Sequence, residues 1–347
     1  MSVIRPFPAL VVRVDWARRL VTGLAELPED TGTLPPVAPV DPAAYDECEP
    51  SLYVYRQQRG DLSSTGVVCD VAVRAFVGGQ VRGHEAVQAQ RVESLVHHVE
   101  TTDAPPALVA LLHAAGPVYR RTVEELTATR PDLDFDGPGR RRQTVWRVPA
   151  GPATDELVAE LSSSDHYIAD GHHRVAAALS TWQRRGEPSG AGVLCVIHPM
   201  DGLRLSAFHR RVTGPVDLES IRELLAPGFQ VEGSAAAPTP TSGSFGLYAA
   251  GGWYEVTPHV TGAELDVKVL QAQVLDRLDQ PVEIAPARTP VDELTRRCDS
   301  DGGALFTLAP PPLEALTRLA DAGGVMPPKT TYFEPKPCAW IFRRPPS

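Results

Sequence analysis

A run of polar side chains, Asp170-Gly171-His172-His173-Arg174, stands between an apolar segment and an alanine-rich one. Residues 167–169 predict the end of a buried strand, and residues 175–179 predict a helix, because alanine is the strongest helix former. Gly171 allows a tight turn between the two elements. A strand that enters a helix through such a turn presents backbone N–H groups and the positive end of the helix dipole. This arrangement favours a phosphate or a carboxylate.

The side chains around this turn suit the chemistry of a phosphate. Arg174 can fork onto phosphate oxygens, and His172 and His173 can donate hydrogen bonds to them. A bare phosphate would repel Asp170, so we expect that carboxylate to hold a metal ion or to take up a substrate proton. The alternative is that Asp170 caps the helix and the histidines are ordinary surface groups. Four functional side chains within five residues favour a site.

A second candidate segment is Gly83-His84-Glu85, which the pattern predicts to open a helix over residues 86–98. Glu85 could take a proton from a substrate hydroxyl, with His84 orienting it or binding phosphate. Equally, Glu85 could only complement the helix N-terminus, as acidic residues often do.

Two further segments carry positive charge. Arg210 is predicted to end a strand, where it could contact phosphate or simply be solvated. Lys329 lies in the segment 326–336, whose prolines lower the cost of ordering a binding loop. Lys329 is a candidate phosphate ligand, and Lys336 is another. The alternative for this segment is a rigid surface loop that packs its aromatic residues onto the core.

The elements that must position these groups read as a mixture of hairpins and helices. Residues 51–56 and 66–73 predict paired strands. The Asp-Gly pair at 201–202 predicts a hairpin between strands 193–197 and 203–208. Another hairpin is predicted over residues 245–256, and residues 131–142 are predicted to be a turn-rich loop. The mixture predicts an α+β fold rather than a doubly wound parallel sheet.

The chain is predicted to divide into two α+β parts. Residues 1–150 would carry His84 and Glu85, whereas residues 151–347 would carry the Asp170–Arg174 turn and the Pro-Pro-Lys loop within the segment 326–336. Residues 34–39 predict a stiff proline-rich linker or wrapping segment.

Composition excludes several classes of function. The 347 residues contain 33 basic and 43 acidic side chains, a formal charge of −10, which argues against a nucleic-acid-binding face. Five scattered cysteines fit a reducing compartment without a zinc site. No apolar run is long enough to span a bilayer, and the first residues do not resemble a signal peptide. We therefore expect a cytoplasmic protein with no membrane partner; the sequence does not predict an oligomeric state.

The chain resembles the domain-of-unknown-function 1015 family nearly from end to end. The motifs that carry the resemblance are Ile4-Arg5-Pro6-Phe7, Leu52-Tyr53-Val54-Tyr55-Arg56, Gly83-His84-Glu85, Ile168-Ala169-Asp170-Gly171-His172-His173-Arg174, Phe208-His209-Arg210, and the segment from Met326 to Lys336. The fourth and the last of these are highly specific. This resemblance implies a shared fold and names no activity.

The Asp-Gly-His-His-Arg turn is also similar to a turn of ParB/sulfiredoxin-like folds, in which it sits on the phosphates of a nucleotide. That superfamily includes DNA-partitioning CTPases, an ATP-dependent sulfinic-acid reductase and free-serine kinases. The reductase requires a cysteine where this chain has His172, and partitioning requires a DNA-binding domain. The resemblance implies a ParB/sulfiredoxin-like nucleotide-binding core that uses ATP or ADP with Mg²⁺.

Three functions follow from these observations. The first is a nucleotide-dependent phosphotransferase that acts on a small hydroxyl compound, with a serine-like amino acid as the leading example. In it, Glu85 is the base, Asp170 holds Mg²⁺ or helps to activate the hydroxyl, and Gly171 opens the phosphate cradle. The cations of that site would be His172, His173, Arg174 and Lys329, with His84 and Arg210 as further phosphate ligands.

The second function is a nucleotide- or metabolite-binding regulatory protein without turnover. It is favoured by Val87 and by Ser94-Leu95, where the family commonly carries a threonine and an Asp-Arg pair. The third is a metal-dependent hydrolase centred on Asp170, His172 and Glu85. Whether the protein is an enzyme is therefore open, with a small-molecule kinase as the leading hypothesis.

Overall fold

The computed structural model describes residues 2–23, 41–102, 107–260, 265–285, 289–327 and 329–345. The linker predicted at residues 34–39 lies outside these ranges. Contacts between residues divide the chain into two compact units. Unit 1 comprises Met1–Arg204 and Pro335–Ser347, and unit 2 comprises Leu205–Glu334.

The described residues form ten α-helices that alternate irregularly with strands. In chain order they are α1 (Val14–Leu20), α2 (Val73–Val77), α3 (Ala89–Thr102), α4 (Pro117–Thr127), α5 (Pro152–Ser163), α6 (His172–Arg184), α7 (Leu218–Leu225), α8 (Asp266–Gln273), α9 (Val291–Asp301) and α10 (Leu313–Asp321).

The described strands number twenty-one, and several have only two residues. They are β1 (Ile4–Arg5), β2 (Phe7–Val12), β3 (Thr22–Gly23), β4 (Tyr45–Arg59), β5 (Leu62–Ala72), β6 (Val81–Arg82), β7 (Val109–His113), β8 (Leu133–Asp136), β9 (Arg142–Pro149), β10 (His166–Asp170), β11 (Gly192–Pro199), β12 (Arg204–Ala207), β13 (His209–Val212), β14 (Phe229–Ser234), β15 (Phe245–Ala249), β16 (Gly252–Pro258), β17 (Val282–Ala285), β18 (Ala304–Leu308), β19 (Thr331–Glu334), β20 (Cys338–Ala339) and β21 (Phe342–Arg343).

A mixed sheet of eleven strands forms the centre of unit 1. Its main order is β21-β2-β4-β5-β11-β7-β10-β6, with β1 on β5 and the β8–β9 pair on β4. Strand β10 runs antiparallel to β7 and parallel to β6. The apolar faces of the sheet and helices share one core that includes Leu111, Leu157 and Ile197, all fully buried. Burial of such side chains is the main favourable term in folding.

Helices α3 and α6 pack together in unit 1 and carry the candidate site at one end. Leu95 and Val96 of α3 bury against Ala177 of α6. On the surface, Arg184 of α6 forms an ion pair of 2.7 Å with Glu93 of α3. These contacts hold the second turn and the C-terminal end of α6 against α3.

Unit 2 is built on an antiparallel sheet of six strands in the order β14-β16-β15-β18-β13-β17. Its core includes Phe245 and Phe306 from the sheet, together with Ile221 of α7 and Leu270 of α8. Strands β12 and β19 form a separate pair. The hairpin predicted over residues 245–256 is confirmed as β15–β16.

The α+β class predicted from the sequence is confirmed, but two local predictions were wrong. The turn-rich loop at 131–142 contains β8, which pairs with β9. Leu133 and Phe135 alternate inward along β8, but four residues between prolines and glycines carry too little pattern to identify a strand. The hairpin at Asp201-Gly202 does not form. Strand β11 pairs with β5 and β7, and β12 pairs with β19.

Two boundaries also differ from those predicted. The helix expected from residue 86 begins at Ala89. The predicted domain boundary after residue 150 falls inside unit 1, between β9 and α5, because β9 pairs with β4 and α5 packs in the same core. Among the described residues, no helix combines the length and the apolar character needed to cross a bilayer.

Candidate functional site

The turn between β10 and α6 is the structural centre of the candidate site. Gly171 has φ 105° and ψ 24°, a conformation that only glycine adopts without strain. Having no side chain, Gly171 cannot itself hydrogen-bond to the N–H groups of the first turn of α6. A Cβ atom at this position would lie 2.9 Å from Nη2 of Arg174. The glycine is therefore required both for the turn and for the close approach of the guanidinium.

Asp170 joins two cations and does not cap the helix. Its Oδ2 contacts Nη2 of Arg174, and its Oδ1 lies 3.0 Å from Nζ of Lys336. Arg174 also donates to the backbone carbonyl of Leu108 at 2.5 Å. Burial alone would raise the pKa of Asp170, but the charges of Lys336 and Arg174 together lower this pKa to about 2. The carboxylate therefore stays ionised, and it is a poor acceptor for a substrate proton.

The same geometry does not fit the predicted role of Asp170 as a magnesium ligand. A metal ion placed on the carboxylate would meet the ammonium of Lys336 and the guanidinium of Arg174, both of which repel it. Within the ranges that the structure describes, no group of three or more His, Cys, Asp or Glu side chains could hold a metal ion.

His172 is buried and neutral, contrary to its predicted role as a cation. Its Nε2 accepts the backbone N–H of His84 at 3.3 Å, so its ring proton resides on Nδ1. Burial is the main cause that holds the pKa of His172 well below its ordinary value of 6.5, and the nearby His84 ring lowers it further. Burial likewise lowers the pKa of His84 to about 4. The two rings meet edge to face, with centroids 4.6 Å apart.

Glu85 is brought to the turn through His172. Its Oε2 lies 3.6 Å from Nδ1 of His172, the nitrogen that carries the proton. The Glu85 side chain is 26% exposed, so the carboxylate is accessible to a ligand. Helix α3 begins only at Ala89, so the alternative that Glu85 complements the first turn of that helix was wrong.

The neighbouring His173 completes this attachment. Its Nε2 accepts the backbone N–H of Gln88 at 3.0 Å. Two consecutive imidazoles of α6 therefore hold the segment 84–88 at the N-terminus of that helix. Gly83 permits the approach, since a Cβ there would lie 3.1 Å from Cδ2 of His172. In the structure the paired histidines position a backbone segment; that they also bind phosphate stays a prediction.

Arg210 and Lys329 belong to unit 2. Arg210 is 2% exposed, not solvated at a strand end, and burial lowers its pKa to about 10. Its guanidinium donates to the carbonyls of Phe208 and His209 at 3.3 and 3.4 Å and to that of Lys329 at 3.1 Å. Lys329 has φ 56°, and its ammonium lies 5.4 Å from the centroid of the Phe208 ring. Their part in a phosphate site stays a prediction.

Sequence reasoning named Lys336 as a possible phosphate ligand but did not predict its contact with Asp170. The amino-acid composition could have drawn attention to Lys336. Only three of the 33 basic residues are lysines, at 268, 329 and 336, and two of them lie in the same proline-framed segment.

Solved structures with a similar chain path include three proteins. Free serine kinase, in a mutant form in complex with ADP, is 14% identical, with 77% of this chain and 87% of that chain covered and a TM-score of 0.40. SbnI with a C-terminal truncation, from Staphylococcus aureus, is 13% identical, with 77% and 82% covered and a TM-score of 0.42. A conserved hypothetical protein from Pyrococcus furiosus is 16% identical, with 77% and 90% covered and a TM-score of 0.37. A ParB/sulfiredoxin-like core stays a prediction.

Sequence comparison identifies the family. None of the curated proteins matches the chain. The family model described as "Protein of unknown function (DUF1015)" matches residues 45–280, which is more than half of the chain. The match includes the segment 83–88 and the turn at Gly171. The chain therefore belongs to the DUF1015 family.

Proposed function

We propose that unit 1 binds a nucleotide by its phosphates and transfers a phosphoryl group to a small hydroxyl compound. The observation that carries the proposal is the juxtaposition of two parts. One is a helix N-terminus that follows a glycine and carries Arg174, whose guanidinium pairs with the carboxylate of Asp170. The other is Glu85, an accessible carboxylate set in place by a neutral histidine. Phosphoryl transfer requires mainly charge neutralisation and positioning, together with a residue that accepts the hydroxyl proton.

The first part supplies the phosphate site. The N–H groups at the start of α6 and the helix dipole favour an anion, and Gly171 lets phosphate oxygens approach the backbone closely. Arg174 stands in the first turn of α6 and offers a guanidinium to the same anion. Asp170 orients that guanidinium through its Oδ2. The phosphates of ATP or ADP suit this donor set.

The second part supplies the base. Nδ1 of His172 lies 3.6 Å from Oε2 of Glu85, which is beyond hydrogen-bond distance, so the N–H dipole of the ring acts on the carboxylate electrostatically beside the turn, where Glu85 can meet a substrate hydroxyl. Glu85 accepts the hydroxyl proton as the substrate oxygen bonds to the terminal phosphorus. The bond from that phosphorus to its bridging oxygen then breaks, and the shortened nucleotide leaves. The buried His172 acts here as an orienting group and not as a cation.

The cations on Asp170 do not suit a magnesium ligand, so no residue is assigned to magnesium here, and any Mg²⁺ in the reaction would be bound mainly by the nucleotide phosphates. A serine-like amino acid remains the leading acceptor by resemblance.

A binding protein without turnover is the second candidate. Val87 favours it, because this side chain is 44% exposed and stands two residues after Glu85. The apolar side chain of Val87 offers no hydrogen bond to a polar substrate that would accept the phosphoryl group. The family commonly carries a threonine at this position. In that case the phosphate site would still bind nucleotide.

Phosphorus NMR of the protein with ATP or ADP, Mg²⁺ and a pool of hydroxy-amino acids tests the proposal. We expect a new phosphomonoester signal from the wild type. Glu85→Gln should lower the rate by a factor of about 100 or more, since it removes the base, while nucleotide affinity measured by calorimetry stays unchanged. Glu93→Gln, which alters an exposed glutamate on α3, is the matched control. If the nucleotide binds but its phosphorus spectrum stays unchanged with every hydroxy-amino acid, the second candidate would be favoured. Full turnover by Glu85→Gln would contradict the assignment of the base.

A further inference from the structure

We propose that Lys336 binds the terminal phosphate of the nucleotide and thereby makes the site prefer a nucleoside di- or triphosphate over a monophosphate. This inference rests on the proposed function, which by itself requires only the start of α6, Arg174 and Glu85. It adds a residue from the C-terminal segment of unit 1 and a basis for selectivity.

The first argument is the use of lysine in this chain. Thirty of its 33 basic residues are arginines. Of the three lysines, Lys268 is exposed on α8 in unit 2, whereas Lys336 contacts the largely buried Asp170. An arginine fork and a lysine ammonium are not interchangeable, because the ammonium is a compact point charge. A lysine at such a contact, in a chain that otherwise uses arginine, favours a place where a compact cation is needed.

The second argument is how firmly the backbone at Lys336 is held. Prolines precede and follow it, which fixes φ on both sides. The carbonyl of Lys336 accepts from Nε2 of Gln57 at 3.1 Å, and Gln57 is 2% exposed within β4. Tyr55 anchors the same segment two residues further on, because its hydroxyl accepts a hydrogen bond from the backbone N–H of Cys338 at 3.4 Å.

The anchor of this segment extends into the sheet. The hydroxyl of Tyr55 donates to Oε1 of Gln143 at 2.5 Å, and Nε2 of Gln143 donates to the carbonyl of Arg141 at 2.8 Å. Burying polar groups is costly unless they are satisfied, and satisfied networks are rigid. An ordinary surface lysine needs no such support. The network therefore fixes the backbone from which the Lys336 side chain extends.

The third argument is the position of the Lys336 ammonium. Nζ of Lys336 lies 3.0 Å from Oδ1 of Asp170, the residue before Gly171, and Arg174 contacts the other oxygen. One carboxylate thus orients two cations around the turn that opens α6. The Lys336 side chain is 21% exposed, so a ligand can reach the ammonium while most of its surroundings are protein. Charge interactions are stronger there than in bulk water.

These arguments give the two cations different tasks. Arg174, in the first turn of α6, faces the phosphate that the helix N–H groups bind. Lys336 comes from a separate segment and lies on the other oxygen of Asp170, so we assign it to the next phosphate along the nucleotide. A monophosphate lacks that second group.

Calorimetry with ADP and AMP tests the inference on four proteins: the wild type, Lys336→Met, Lys336→Arg and the control Lys268→Met. Loss of one charge-assisted contact should weaken ADP binding to Lys336→Met about tenfold or more and AMP binding less than about threefold. Lys336→Arg should restore part of the ADP affinity, and Lys268→Met should bind as the wild type does. Equal losses for ADP and AMP would overturn the inference, because they would indicate a disturbed turn.

A double-mutant cycle separates phosphate binding from simple pairing with Asp170. If Lys336 binds phosphate, Lys336→Met should weaken ADP binding further in an Asp170→Asn background. No further loss there would mean that Lys336 acts only through Asp170, which contradicts the proposal.

A footprint of the unaltered protein keeps the inference falsifiable if a variant does not fold. Reductive methylation with formaldehyde, read by mass spectrometry, should show that ADP protects Lys336 and leaves Lys268 unchanged. ADP that binds without protecting Lys336 would refute the inference alone and leave the proposed function standing. A wild type that binds no nucleotide would refute both.

Discussion

Replacing Gly171 by alanine tests whether the turn and the Arg174 guanidinium form one tightly fitted unit. The change affects two independent features. A residue with a Cβ is strained at φ 105°, at a cost of about 1–2 kcal/mol. The new Cβ would also lie 2.9 Å from Nη2 of Arg174, closer than atoms pack.

The guanidinium cannot move aside freely, because Asp170 and the carbonyl of Leu108 both hold it. Losing one hydrogen bond to a charged group costs about 1.5–3 kcal/mol. Gly171→Ala should therefore lower the free energy of unfolding by about 2.5–5 kcal/mol, and it should weaken ADP binding as Arg174 is displaced.

Gly186→Ala is the matched control, since this glycine follows the same helix with φ 77°, and no atom lies within 4 Å of the point that its Cβ would occupy. It carries the strain without the collision and should lose about 1–2 kcal/mol. Urea unfolding followed by tryptophan fluorescence measures both, and Trp182 within α6 reports on the helix directly. Equal losses in the two variants, or unchanged ADP affinity in Gly171→Ala, would refute the reasoning that Arg174 is fixed against this turn.

Two further predictions concern stability. Burial depresses the pKa of His84 and His198 to about 4 in the folded state, below the ordinary value of 6.5. The stability that these neutral histidines contribute is therefore complete above pH 6.5 and is lost as the pH falls towards 4, by up to about 3 kcal/mol for each histidine. Urea unfolding midpoints measured between pH 6.5 and pH 4 check this loss. A midpoint that does not change with pH would contradict the prediction. Gly192→Ala should lower the free energy of unfolding by about 1–3 kcal/mol, because its Cβ would collide with the carboxylate of Asp70, which two arginines hold. Gly190→Ala, with open space around the new Cβ, should leave that free energy nearly unchanged in the same urea unfolding experiment.

Local features of the sequence determined the strand, the turn and the helix at Gly171. An apolar run, a glycine and an alanine-rich segment act within a few residues of one another, so their pattern is legible without the rest of the chain. The α+β class and the β15–β16 hairpin were predictable for the same reason. The four-residue β8 was not, because so short a strand is stabilised by its pairing with β9 rather than by its own pattern.

Tertiary structure alone decided what the polar residues do. The sequence predicts that Asp170 holds a metal ion or takes up a substrate proton, but Lys336, distant in sequence, lies on its carboxylate. His172 read as a cation, but burial and the N–H of His84 make it a neutral acceptor. Desolvation and long-range pairing set both outcomes, and neither depends on neighbours in the chain. The sequence determined which groups are present at the turn, and the fold determined their charges and partners.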